Sequence, residues 1–486
     1  MKTLLNSRGV YLATALFLLV NMYLTFKGEF YLNAIPLGLL MVYTAFYHFD
    51  KLFLFVVFFT PLSINIEEFV GDGSIGLFLP TEPLLFGMLL LITFNQLKSN
   101  QFDKAFLKHP ITVIFILQLL WIVMTTITSE LPEVSLKFLL TKLWFIIPIY
   151  FYGVHFFKKE KRINWFVWLY IGALTIVVLY TLTNHAINGF DEETGHWVMF
   201  PFFKDHTSYG AILALVYPLF FGMLFSMKQS GQVKIILVGL ILLFGFAIIM
   251  SYTRAAWISL FGALLVYLLI KFKVKFKYLA MLASVGVLYV AINWTDIMHS
   301  MEKNRSEHAT EDMNERLESM SNITTDASNL ERLNRWGSAI RLWQERPLFG
   351  WGPGTYAMVY GPYQLSSGMT IISTSSGNRG NAHSEYLGPL SEQGLPGIIL
   401  MIILVIYICY TAITLYIRMP VGDTRVMLMC MFLGLVTYFA HGILNNYLDT
   451  DKATIPVWGF TAVIVMLDLK YPRQKSSPKE LGDKAE

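Results

Sequence analysis

The chain has 486 residues, 55% of them hydrophobic and only 14% charged, with a formal net charge of +4. A soluble chain carries about a quarter charged residues. The deficit excludes a large water-soluble core and makes lipid the expected solvent. The net charge is modest, its placement matters more than its sum, and no nucleic-acid partner is expected. Cys409 and Cys430 both fall inside apolar runs, so neither a disulfide framework nor a cysteine metal site is available.

The N-terminus reads Met1-Lys2, then Arg8, then an apolar run from Val10 to Phe26. It has the outline of a signal peptide without a small-x-small cleavage site, and is read as an uncleaved first helix. Apolar runs long enough to cross a bilayer follow near 30–48, 52–65, 79–95, 110–128, 137–157, 163–184, 208–227, 234–251, 255–271, 277–294, 395–417, 424–445 and 453–470. The run at 52–65 is short, as in a tilted or re-entrant segment. The predicted fold is all-α: a polytopic integral membrane protein of about 12–14 transmembrane helices with one large, mainly helical periplasmic loop. Residues 1–294 hold spans one to eleven, 295–393 the loop, 394–470 spans twelve to fourteen, and 471–486 a cytoplasmic tail expected to be disordered.

Orientation follows from Lys and Arg in the connections. One set holds Lys2 and Arg8, Lys51, Lys98 with Lys104 and Lys108, Lys158 to Arg162, Lys228 and Lys234, the lysines from Lys271 to Lys277, Arg418 with Arg425, and the tail. The alternate set has little in its short loops beyond Lys27, Lys204, Arg254 and Lys452. Both termini are therefore expected in the cytoplasm of a bacterial inner membrane, and the long loop in the periplasm. No internal repeat of the transporter type is visible.

Within the loop, Ser328 and Glu331 form a capping-box pattern, and Leu333, Trp336, Ile340 and Trp343 recur at helical spacing up to Pro347. That places Arg332 in the first turn and Arg335 one turn on, where a helix N-terminus favours an anion. On the residues alone, solvated arginines on an ordinary amphipathic helix are the commoner case. The run Pro347 to Gly354 has glycines at 350, 352 and 354. It lacks the strand and helix of a phosphate loop, and reads better as a tight turn that lets backbones pack closely.

His383 stands ahead of Gly394, Pro396 and Gly397, which open an apolar run. An imidazole there can take a proton from a sugar hydroxyl, or be a surface histidine satisfied by water. Arg254, in Ser251-Tyr252-Thr253-Arg254 between two spans, is either an anion-binding charge or one that snorkels to lipid phosphates. Lys142, about one and a half turns inside a span, faces a polar cavity or snorkels. Asp449-Thr450-Asp451 offers a weak cation pattern. Asp191, Glu192, Glu193 and His196, before Asp205-His206, read as a solvated acidic stretch or as acceptor contacts.

These motifs, in this order, resemble the O-antigen ligases and related O-antigen polymerases of bacterial envelopes. Ser251-Tyr252-Thr253-Arg254 looks like the family's first arginine at the start of a helix. Arg332 through Gly354 is similar to its loop arginine, helix and glycine turn. His383-Ser384, nine residues, Gly394, two residues and Gly397 fit the ligase pattern, with Ser384 where Asn is common. The resemblance implies a metal-independent, inverting transferase without cofactor that uses a polyprenyl (undecaprenyl) diphosphate-linked glycan. It implies that Arg254 and Arg332 bind the diphosphate and that His383 orients or deprotonates the acceptor hydroxyl, with Arg335, Lys142, Ser384, Gly394 and Gly397 in support. Lipid A-core is the implied acceptor. A polymerase or protein O-oligosaccharyltransferase shares the donor chemistry. A non-enzymatic lipid or glycan transporter is the reading from another class, and it predicts charges spread through the spans, where chiefly Lys142 is found.

With Cys409 and Cys430 replaced, a cysteine at Ser373 should react with an impermeant thiol reagent in spheroplasts, and one at Ser230 should not. The reverse pattern would invert the topology.

Overall fold

A computed structural model of the protein describes residues 7–70, 76–98, 102–226, 229–274, 288, 292–293, 315–365, 369, 373 and 380–473. The chain divides into two compact units, Met1–Val57 and Phe58–Glu486.

In the first unit, helix Ser7–Phe26 is followed by a tight turn at Tyr31–Asn33 and helix Ala34–Tyr47. Asn21 donates to Asn33 at 2.6 Å, joining the helix to the turn. Leu12, Leu19, Leu39 and Phe46 are all exposed, as apolar side chains are when hydrocarbon is the solvent.

The second unit is built around helix Asp451–Lys470, in which every residue from Asp451 to Leu467 is buried. A helix that is apolar all round belongs in the middle of a bundle. Helices His206–Leu224 and Asp423–His441 pack so closely that a Cβ on Gly434 would lie 2.2 Å from the Leu215 carbonyl oxygen. Small residues at crossings give this approach where no hydrophobic force drives helices together. Helix Gly231–Met250 buries only Leu237, Phe244, Ala247 and Ile248 and exposes Ile235, Leu242 and Ile249, which suits a lipid-facing position.

Ten helices among the described residues are long and apolar enough to cross a membrane. The run at 30–48 gives a shorter apolar helix, Tyr31–Tyr47. The run at 52–65 gives Phe49–Phe59, and that at 79–95 gives Thr81–Lys98. The run at 277–294 falls almost wholly outside the described residues. The protein is thus an all-α, multi-pass membrane protein.

The connections of the second unit meet in two groups. At one end Ser63 and Thr81 donate to Asp451, Ser135 donates to Pro353, and Thr253 donates to His206. At the other, His109 meets Asp468 at 3.1 Å, Arg418 also pairs with Asp468, and Glu160 binds Lys470 and Thr424. Asp451 and Lys470 end the same 20-residue helix, so the groups lie about 30 Å apart. The first group comes from connections assigned outward by the Lys/Arg bias, the second from those assigned inward. An odd number of misread spans would have mixed them.

One expectation for the loop is corrected. Its helix runs Glu315–Glu345, so Ser328 lies inside it and is no cap. Arg332 is therefore far from the first turn, and the helix N-terminus contributes nothing to anion binding there. The buried stripe is Glu331, Asn334, Arg335, Ser338, Ala339 and Leu342, whereas Ile340 of the apolar stripe is exposed. The helix buries this polar face with most of its groups bonded internally, Asn334 Oδ1 being left without a partner among the described residues. Arg335 pairs with Glu331 at 2.7 Å, and Ser338 donates to the Tyr363 carbonyl at 3.1 Å.

Candidate active site

The site is framed by a break in helix Leu387–Arg418 at Gly394, where φ is +69°. A left-handed residue ends the i to i−4 bonding, and Pro396 has no N–H for the Glu392 carbonyl. Three carbonyls must find other donors. The Ser391 carbonyl accepts from Trp351 N at 3.1 Å, that of Glu392 from Gly352 N at 2.8 Å, and that of Gln393 from Trp121 Nε1 at 2.9 Å. The freed N–H of Leu395 donates to Pro347 O at 2.8 Å. The glycine turn is therefore a backbone bracket for the broken helix. A Cβ on Gly394 would lie 2.2 Å from the Leu348 oxygen. Gly397 packs against its own helix, its Cβ position 2.6 Å from that of Gln393.

His383 lies on a short strap, residues 380–385, ahead of that helix. Its φ of +46° is unusual for a residue with a Cβ and costs on the order of 1–3 kcal/mol. The surroundings impose it. Trp336 Nε1 donates to the His383 carbonyl at 3.3 Å, and His383 N donates to Asn381 Oδ1 at 3.0 Å. Arg335 donates to the Asn381 carbonyl at 3.1 Å and lies over the Tyr360 ring. Its charge is engaged with Glu331, so it positions the strap. Ser384 Oγ accepts from the N–H groups of Tyr386 and Leu387, both at 3.3 Å, and so closes the turn that leads into the helix. Glu385 is buried. Its N–H donates to the Gly442 carbonyl at 2.8 Å, and its carboxylate accepts from Tyr438 and from the N–H groups of Tyr447 and Leu448. Burial, reinforced by Asp449, pushes the Glu385 carboxyl up to about 7 against those donors.

The His383 side chain is hydrogen-bonded by Asn445. Asn445, four residues after His441 on the next outward turn, lies 3.1 Å from His441 Nε2. Arg332 and Asp205 act on His383 electrostatically. Asp205 caps helix His206–Leu224, accepting from Ser208 N at 2.7 Å, and accepts from Thr207, whose hydroxyl meets Tyr447 OH at 2.5 Å. His196 stacks on His206 at 4.2 Å. Burial first, then Arg335 and Arg332, hold His383 down at about 4. Burial also lowers Arg332, which Tyr447 and Asp205 partly restore. At neutral pH the chamber therefore holds an uncharged imidazole beside a half-buried guanidinium.

The structure brings Arg332 and His383 together. Arg254 is exposed at the start of helix Arg254–Lys271, without an ion-pair or hydrogen-bond partner among the described residues. Its turn is anchored one residue earlier, where Thr253 Oγ1 donates to the His206 carbonyl at 2.9 Å. Lys142 is elsewhere, paired with Asp449 at 2.7 Å. Asp451 is instead buried under Ser63 and Thr81, so the Asp449-Asp451 pair does not converge. Asp191 caps the short helix Glu192–Gly195. Asp205, His441, Asn445 and Tyr447 were not singled out from the sequence as site residues. The His441-x3-Asn445 spacing at a span end was the available signal.

The fold and this chamber define a multi-pass helical membrane protein with a guanidinium–imidazole site at one end of its bundle. Residues 238–402 match the model of a family described as O-antigen ligase. The match takes in Arg254, Arg332, His383, Gly394 and Gly397, and supports an O-antigen ligase-like family and a glycosyltransferase-type membrane enzyme. No curated protein matches the chain.

Gly394→Ala should lower the detergent melting temperature and speed tryptic cleavage after Arg341, because both φ and space forbid a side chain. Gly239→Ala, with nothing within 4 Å, should do neither. Equal behaviour of the two would remove the bracket as a structural element.

Proposed function

We propose that the protein moves a glycan from a polyprenyl diphosphate carrier to lipid A-core on the periplasmic side of the inner membrane. The observation that carries this reading is the convergence of His383 and Arg332 with Asn445, His441 and Asp205, drawn from separate connections of the bundle. In the reaction the bond between the anomeric carbon and the diphosphate oxygen breaks. The acceptor oxygen bonds to that carbon from the opposite face, and its proton passes to His383. Charge gathers on the leaving diphosphate, and arginine forks match phosphate without a cation. Arg332 is the half-buried fork. Arg254, exposed at the bilayer end of its helix, is free to meet the diphosphate as it arrives. A bound diphosphate adds negative charge near His383 and so raises the basicity that burial and the arginines suppress.

Arg332→Lys keeps the charge but loses the fork, and should cost roughly a hundredfold in turnover. The same holds for Arg254→Lys. Near-normal rates in both, at normal protein levels, would reduce these residues to general electrostatics. Because the His383 pKa is depressed, its neutral form persists at every pH above about 4. kcat/KM should therefore stay level through pH 6.5 and fall only as pH nears 4. An acid limb at 6.5 that disappears in His383→Gln would contradict the depressed pKa.

Deleting the gene should leave full-length glycan on its carrier while lipid A-core runs bare on a gel of surface glycolipids. A core bearing one repeat unit would mean polymerase. A normal ladder with unglycosylated secreted proteins would mean protein glycosylation.

A further inference from the structure

A neutral imidazole carries its proton on one nitrogen and a lone pair on the other, and only the lone pair can act as a base. Which nitrogen is which at His383 depends on what the ring meets. The His383 strap and the turn that follows helix Asp423–His441 are joined through Glu385. Its N–H donates to the Gly442 carbonyl at 2.8 Å, and its carboxylate accepts from Tyr447 N at 2.7 Å and from Leu448 N at 2.8 Å. A Cβ on Gly442 would lie 3.0 Å from Glu385 Cγ, so the two segments pack closely. Asn445 stands between these two attachments, and His383 just ahead of Glu385.

The amide of Asn445 is held from its other side. Leu444 N donates to the His441 carbonyl at 3.0 Å, and the turn so closed leaves Asn445 Nδ2 3.1 Å from His441 Nε2. An amide nitrogen only donates. His441 Nε2 is therefore a lone pair, and His441 is neutral with its proton on Nδ1. The amide oxygen is left for His383, where the contact favours the protonated ring, as an acceptor does. Arg332 and Arg335 oppose a charge on that ring. Asp205 favours it, but already accepts from Ser208 N and Thr207. Asn445 is buried whereas His383 is only partly so, so the amide acts on the imidazole and not on substrate.

We propose that Asn445 is the positioning residue of the base: its oxygen accepts from one His383 nitrogen and leaves the other as a lone pair for the acceptor hydroxyl, while His441 Nε2 holds the amide in that orientation. The role rests on the transferase reading above. As the acceptor oxygen bonds to the anomeric carbon, its proton passes to the free nitrogen. The N–H that faces Asn445 stays in place and becomes a donor on a cation. Such charge-assisted bonds are roughly twice as strong as neutral ones. The contact therefore tightens as the reaction proceeds, and its loss falls on kcat more than on either KM.

Two measurements on the full-length protein in proteoliposomes test this. The first needs no activity. Nitrogen-15 NMR of histidine-labelled protein, with His383 assigned by its absence from His383→Gln, should show one neutral tautomer at neutral pH. Asn445→Leu, of similar size, should show a mixture of both. The second is transfer. Asn445→Leu should lower kcat about ten- to a hundredfold and leave both KM values within about twofold. Asn445→Asp keeps an acceptor toward His383 and adds a negative charge, which favours the imidazolium. It should recover kcat relative to Asn445→Leu and move the acid limb of kcat/KM upward from about 4. A side chain that merely packs would lose as much as Asp as it does as Leu, and the limb would stay. That result, a tautomer mixture in the unaltered protein, or a single tautomer in Asn445→Leu would overturn the proposal. If Asn445→Leu fails to fold, the limb of Asn445→Asp decides alone. A tautomer that depends on Asn445 in a protein that transfers nothing would overturn the transferase reading and leave the hydrogen-bond assignment standing.

Discussion

A helix that stops bonding to itself inside a membrane protein leaves carbonyls that no water can reach, and each must find another donor. The break at Gly394 creates this requirement, and Pro396 makes it permanent because it has no N–H to give. The Trp351 and Gly352 amides and the Trp121 indole meet it. One constraint thereby joins the glycine turn, the helix Leu387–Arg418 and the span that carries Trp121. The bracket holds the start of that helix still, and the His383 strap runs directly into it.

The strap is then fixed from both sides by groups of opposite charge. Arg335, neutralised by Glu331, grips the Asn381 carbonyl from the loop helix. Glu385, buried under three donors, grips the turn at 442–448 from the bundle. These contacts hold His383 in a backbone conformation that an isolated peptide would leave. The result is an imidazole held near the Arg332 guanidinium.

The loop helix shows that periodicity alone does not decide burial. Leu333, Trp336, Ile340 and Trp343 have helical spacing, and spacing alone assigns them to the core. The neighbouring stripe instead carries Glu331, Asn334, Arg335 and Ser338, each with a partner on the same helix or on the segments around 363–381. A polar face that is fully bonded can be buried at little cost, whereas an unbonded one cannot. Whether partners exist depends on segments far away in the chain, which a pattern within one helix does not contain.

The amino-acid sequence by itself determined the all-α membrane architecture, since apolar runs of bilayer length and the bias of Lys and Arg are local quantities. The consistency of the two end groups follows from that same alternation. It also marked Arg254, Arg332, His383 and the paired glycines, because residue type and spacing carry their chemistry. Only the tertiary structure decided which charges are already engaged. Arg335 is bound to Glu331, Lys142 to Asp449 and Asp451 to Ser63 and Thr81, while Asp205, His441 and Asn445 arrive beside His383 from two other connections. Pairing and burial are set by where distant connections meet, and a lone arginine or lysine reads the same in a sequence whether its partner is substrate or protein.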